Sequence, residues 1–182
     1  MDRSRLTQEL TMRTSPALLF VILLTTSAAA QAQSRDSQAV TVGPWAIATN
    51  YKSDKFESCT MTRSAGELGI AFMRAQNGLL VLLDSPKWKL NRGKAYSVRL
   101  VAGSRSVDAH ALAETKSVTI ALEDSRLNSK LRVANIFEVR GEGTTLRVPL
   151  DGSSKAFDRL ETCFNKNDTL ETNPFVASSR KP

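Results

Sequence analysis

With 182 residues, 25 Lys and Arg against 18 Asp and Glu, two cysteines and one histidine, the chain carries a formal net charge of +7. Two Cys and a lone His are too few for a metal centre built on those ligands. The basic excess favours anionic partners such as lipopolysaccharide, anionic lipid, acidic glycans or acidic protein surfaces, yet no run of Lys or Arg exceeds two, as on a plain solvated surface.

The N-terminus has the order of a secretory signal peptide. Arg3, Arg5 and Arg13 form a basic region, Ala17 to Leu24 an uncharged apolar run, and Ala30-Gln31-Ala32 an A-x-A cleavage signal. The apolar run is short of the roughly 20 residues that span a bilayer. Cleavage is expected after Ala32, leaving Gln33 first. Met12 is an alternative start, because it sets Arg13 directly before the apolar run. Three arginines and the acids Asp2 and Glu9 leave with residues 1–32, so the mature chain is about +6. What remains is the size of one domain, periplasmic or secreted, and export separates it from nucleic acid.

Residues 33–42 are polar and aperiodic and read as a flexible leader. From there short strands dominate. Leu68, Ile70 and Phe72 share one face at period two. Leu79 to Leu83 is a continuous apolar run, expected as a strand buried on both faces. Asn77-Gly78 between these two strands is a hairpin signal, and Leu90-Asn91-Arg92-Gly93 is a further turn. Tyr96 to Leu100 and Val118 to Leu122 alternate, and Val107 to Ala111 does so more weakly. Phe137 to Val139 and Leu146 to Leu150 flank Gly141-Glu142-Gly143, a second hairpin signal. Pro149 cannot donate to a ladder, which places that strand's end or the sheet's edge there.

Two helices are expected. In 124–134, Leu127, Leu131 and Ala134 recur at i, i+4, i+7, and in 153–165 Ala156, Leu160 and Cys163 do the same, bordered by Phe157 and Phe164. Asp151-Gly152-Ser153-Ser154 supplies capping oxygens for the second. Residues 166–182 read as a disordered tail. The two cysteines, Cys59 and Cys163, read as a disulfide in an oxidising compartment, with free thiols or a metal pair as rivals. The expected fold is mainly β (α+β): an antiparallel β-sandwich or strongly curved sheet over 43–165, with two packed helices and one disulfide.

Catalytic signals are faint. His110 and Asp108 would share a strand face, a conceivable base and orienting acid, but no G-x-S-x-G elbow accompanies them. Leu150-Asp151-Gly152-Ser153 resembles the Asp-(Thr/Ser)-Gly loop of aspartic proteases in reversed order and without a second copy. Glu123-Asp124 could bind a cation or act as acid and base, but adjacent carboxylates opening a helix also complement its dipole. Trp45, Trp88, Tyr51 and Tyr96 could line a glycan surface or serve as core and rim. No catalytic residue, cofactor or metal is assigned.

Gly43-Pro44-Trp45 opening the first strand, Ser58-Cys59-Thr60-Met61 leading into Gly69-Ile70-Ala71-Phe72, and Trp88-Lys89-Leu90 before a Gly turn together resemble exported proteobacterial proteins related to invasion-associated locus B. The closing block, Leu146 to Ser153 and then Leu160-Glu161-Thr162-Cys163, is similar to a group of uncharacterised α-proteobacterial envelope proteins. The resemblance spans roughly residues 43–164. It implies a host-facing envelope role and brings no catalytic residues. The functional expectation is an exported, non-enzymatic binding protein whose partner is an envelope or host protein. Docking on anionic envelope components and an enzyme with an unrecognised site are the alternatives.

Overall fold

The computed structural model describes residues 39–171. The expected signal peptide and its cleavage residues Ala30, Ala32 and Gln33 lie outside the described residues. Ten strands and two helices follow in chain order: β1 (Val40–Val42), β2 (Trp45–Lys52), β3 (Lys55–Ala65), β4 (Leu68–Ala75), β5 (Gly78–Asp84), β6 (Ala95–Ala102), β7 (Arg105–Ala113), β8 (Ser117–Ala121), α1 (Ser125–Leu131), β9 (Ile136–Arg140), β10 (Thr145–Pro149) and α2 (Ser153–Glu171). The strands form one open antiparallel sheet in the order β1-β2-β3-β4-β5-β8-β7-β6-β9-β10. Pro149 ends the edge strand β10, where its missing N–H costs no ladder bond.

Register carries one apolar face across the sheet. Ile47 pairs with Met61, Met61 with Phe72, Phe72 with Val81, Val81 with Ile120 and Ile120 with Ala111. Further along, Ala102 pairs with Phe137, and Phe137 with Val148. All of these side chains are buried. The sheet curls toward this face, so that the rings of Phe72 in β4 and Phe137 in β9 stand 6.3 Å apart although four strands separate β4 from β9 in the sheet.

α2 packs on the inner side of β2, β3 and β4. Its residues Ala156, Phe157, Leu160 and Phe164 are buried, with Phe157 5.1 Å from Phe72 and Phe164 5.7 Å from Phe56. A disulfide joins Cys163 of α2 to Cys59 of β3 across a sequence separation of 104. Side chains also tie β2 and β3 to the end of β10. Trp45 Nε1 donates to the Asp151 carbonyl at 2.9 Å. Arg63 donates to the Pro149 carbonyl at 3.2 Å and to the Asp151 carboxylate at 2.8 Å, with its guanidinium 5.2 Å from the Trp45 ring centre. The Arg63 guanidinium holds the Asp151 carboxyl below the usual carboxylate range.

Several expectations need correction. The leader ends early, because Val40–Val42 pair with Trp45–Ile47 around the Gly43-Pro44 turn; two β-branched valines next to a ready edge suffice to form a strand. The tail begins late, because α2 continues to Glu171. Tyr51 Oη donates to Asn167 at 3.2 Å and Gln76 to Asp168 at 3.2 Å, so polar residues that read as a tail hold the helix to the sheet. In β5 only Val81 and Leu83 are buried. Leu80 and Leu82 face outward beside Met73 and Ala71 and are half-exposed, since that face carries no covering layer among the described residues. The β4–β5 turn centres on Gln76-Asn77, one residue earlier than expected, with Gly78 pairing across to Ala75. Asp151 and Ser153 do not act as the expected caps: the first is bound by Arg63, and the second donates to the Leu131 carbonyl at 3.0 Å. α1 is shorter than 124–134, and its buried residues are Leu127 and Leu131.

Closing a loop of about 100 residues stabilises by up to about 4–5 kcal/mol in the chain-entropy account. The Cys59→Ala/Cys163→Ala protein is expected to lose a large part of that in urea unfolding. Intact protein without reductant is expected to show no alkylatable thiol; two would contradict the bond.

Candidate functional site

Two clefts hold the residues that the sequence marks for chemistry. The first arises because β7 pairs with β8 only through Ala111–Ala113. The earlier half of β7 therefore diverges, and a cleft of about 510 Å³ opens between it and the start of α1. Asp108, His110, Glu123 and Asp124 all line it, so the structure brings together four residues from two separate motifs.

The carboxylates of Asp108 and Asp124 are already committed. Arg99 Nε donates to Asp108 at 2.8 Å. Arg105 Nε donates to Asp124 at 3.1 Å, and its terminal nitrogen binds the other oxygen. Asp124 is also the N-cap of α1, accepting from the Leu127 N–H at 2.6 Å. The hydrogen bond from Arg99 and then its charge hold the Asp108 carboxyl below the usual aspartate range. The Arg105 hydrogen bond, followed by the Leu127 N–H, does the same for Asp124. A general acid or base works best with a pKa near the operating pH, and both shifts run the other way. His110 stands across from Ser97 in the ladder, while Asp108 stands across from Arg99. Among the described residues Asp108 is thus bonded to Arg99 and not to His110. No group of three or more His, Cys, Asp or Glu side chains there could hold a metal ion.

The second cleft, about 480 Å³, lies on the inner face of the sheet. α2 packs on β2, β3 and β4, and on β6, β9 and β10 the inner-face side chains Tyr96, Val98 and Leu146 stay half-exposed. With Val139 they form the apolar floor. One lip is residues 85–94, where Trp88 and Leu90 turn inward and pack against the core. The other is the β9–β10 hairpin at Gly141-Glu142-Gly143.

The first lip is tied in place by backbone bonds. Ser85 N–H donates to Lys116, Leu90 N–H to Thr115, and Gly93 N–H to Ala113, at 2.7–3.0 Å. Lys94 lies at the mouth with its ammonium 4.7 Å from the Tyr96 ring centre. The four aromatics therefore separate. Trp88 and Tyr96 line the cleft, Trp45 is fully buried, and Tyr51 is bonded to Asn167 beside α2. Leu90, Lys94, Val98, Val139, Glu142 and Leu146 were not marked as site residues by the sequence. The one available signal was the alternation Lys87-Trp88-Lys89-Leu90, cationic outward and apolar inward.

Among the described residues no helix is long and apolar enough to cross a membrane. No family model, curated protein or solved structure matches the chain.

Because the folded Asp124 pKa is lowered, its contribution to stability is present above the unfolded value and is lost as pH falls through the folded one. Asp124→Asn keeps a capping oxygen but removes the charge. It is expected to unfold earlier than the parent at neutral pH, with the gap constant above about pH 5 and closing at lower pH. Urea unfolding across a pH series reads this directly, and a pH-independent gap would refute the charge assignment.

Proposed function

We propose that the chain is an exported binding protein of a bacterial envelope, non-catalytic, which holds its ligand in the apolar cleft between residues 85–94 and the β9–β10 hairpin. The observation that carries this reading is the cleft itself. It is concave and lined mainly by apolar and aromatic side chains with a few polar groups at its rim. Its volume lies within the roughly 300–1,000 Å³ of small-molecule sites, and its first lip is held by backbone hydrogen bonds before any ligand arrives. A pre-formed site loses less entropy on binding.

The polar cleft supports catalysis less well, because Arg99 and Arg105 occupy two of its three carboxylates, Asp108 and Asp124. An envelope setting draws on the order of the N-terminal segment, on a disulfide suited to an oxidising compartment, and on the resemblance to proteins related to invasion-associated locus B.

A second reading is favoured by charge. Residues 85–94 contain Lys87, Lys89, Arg92 and Lys94 and no acid. Such a loop suits docking on lipopolysaccharide, anionic lipid or an acidic glycan. That reading predicts binding to envelope extracts that weakens steeply with salt.

The mature chain is expected to bind the neutral dye Nile red and to change Trp88 emission. Val98→Phe, which fills the floor, is expected to weaken dye binding by at least about tenfold, the scale of about 1.4 kcal/mol. Its melting temperature should stay near that of the parent, because Val98 is half-exposed. Dye binding that is absent, or equal in the two proteins, would overturn the cleft as the ligand site. Fractionation with N-terminal sequencing tests export: protein starting at Gln33 outside the cytoplasm supports it, and uncleaved cytoplasmic protein refutes it.

A further inference from the structure

We infer that the cleft ligand is an amphipathic organic anion, with an apolar chain or ring on the floor and a compact single-charge head, such as a carboxylate, at Lys94. This rests on the cleft being the binding site and specifies what enters it.

The charge at the mouth is unbalanced. Lys87 is paired with Glu67 at 2.6 Å and Arg92 with Glu114 at 2.7 Å. Lys89 and Lys94 have no carboxylate partner among the described residues. Lys94 alone of the four lines the cleft. Its stacking on Tyr96 keeps the ammonium beside the aromatic floor. Glu142 lines the opposite lip, on an exposed hairpin tip between two glycines. One acid on that lip thus faces two unpaired lysines on or beside the other, so the mouth as a whole attracts an anion. A lysine is a point charge without the planar fork with which arginine grips phosphate on two oxygens, which suits a head of one charge.

The orientation of the indole argues for a soluble amphiphile over a bilayer. Trp88 and Leu90 pack against the core, whereas a membrane-docking loop would point its Trp out toward the lipid interface. The floor residues Tyr96, Val98 and Leu146 line a concave wall between two lips, where a flat surface makes poor contact.

Matched ten-carbon probes test this on the mature chain. Decanoate is expected to bind at least about fivefold more tightly than decanol at low salt, roughly the 1 kcal/mol of a partly exposed ion pair. Lys94→Gln should abolish the preference, so that this variant binds decanoate no more tightly than decanol, and Lys94→Arg should restore it. Glu142→Gln should tighten decanoate by about twofold, as loss of one repelling charge from the opposite lip would. Raised salt should erode the preference.

Equal affinity for decanoate and decanol would overturn the anion assignment and leave the cleft reading standing. Failure of both probes, with no response of the parent to Nile red, would sink the cleft reading as well. A response only to vesicles of anionic phospholipid, unaffected by Val98→Phe, would overturn the inference in favour of membrane docking.

Discussion

The apolar face that Ile47, Met61, Phe72, Val81, Ile120 and Ala111 build across six strands cannot be left wet. A sheet of this width meets that demand by stacking on a second sheet or by curling on itself. Here it curls, and the twist of successive strands supplies the direction. Phe72 then reaches Phe137 across the interior. Curling leaves β1 and β10 paired on one side only, and side chains bridge the gap: Trp45 of β2 and Arg63 of β3 bond Pro149 and Asp151 at the end of β10. α2 fills the concavity over β2, β3 and β4. Because it stops there, part of the lining under β6, β9 and β10 stays reachable from solvent. The cleft is what remains of the inner face after the helix has been placed.

Polar chemistry is divided between the two sides of the sheet in a way that bears on function. The outer face of β6, β7 and β9 carries Arg99, Asp108, His110, Glu138 and Arg140. Arg99 and Arg140 stand directly opposite one another in the ladder, an arrangement that repels. Each is relieved by a carboxylate, Asp108 for the first and Glu138 for the second. Glu138 also reaches Arg147 on β10. These acids therefore serve to make a basic face tolerable, which leaves them poorly placed to react. The inner cleft has the opposite character, with apolar depth and charge only at its rim.

Much of the strand layout was legible because period-two alternation survives in Leu68–Phe72, Tyr96–Leu100 and Val118–Leu122, and because the Gly-containing turns sit close to where the hairpins close. The Cys59–Cys163 bond was legible too, since the helical spacing put Cys163 on the buried stripe. Three features left no readable signal in the sequence. The order of strands places β8 beside β5 and β9 beside β6, a pairing no window of sequence encodes. The Ser53-Asp54 turn uses two non-glycine residues at φ +48° and +62°, so it lacked the glycine that usually announces such a reversal. The cleft joins residues of the 85–94 lip to Val139 and Leu146, which meet only after the sheet curls. The polar cleft was legible as two pairs, His110 with Asp108 and Glu123 with Asp124, but the capture of Asp108 by Arg99 and of Asp124 by Arg105 depended on register and on the departure of β7 from β8.

The disulfide has a consequence for the order of events as the chain is made. Cys59 precedes its partner by 104 residues, and all ten strands lie ahead of Cys163 in the sequence. Synthesis therefore delivers a complete set of strands while Cys59 is still a lone thiol. Until Cys163 arrives, register and curl rest on hydrophobic and ladder interactions, many of them between strands distant in sequence. In the folded chain the bond joins α2 to β3 and to no other strand, so it latches the helix onto the sheet and leaves the order of the strands to those other interactions.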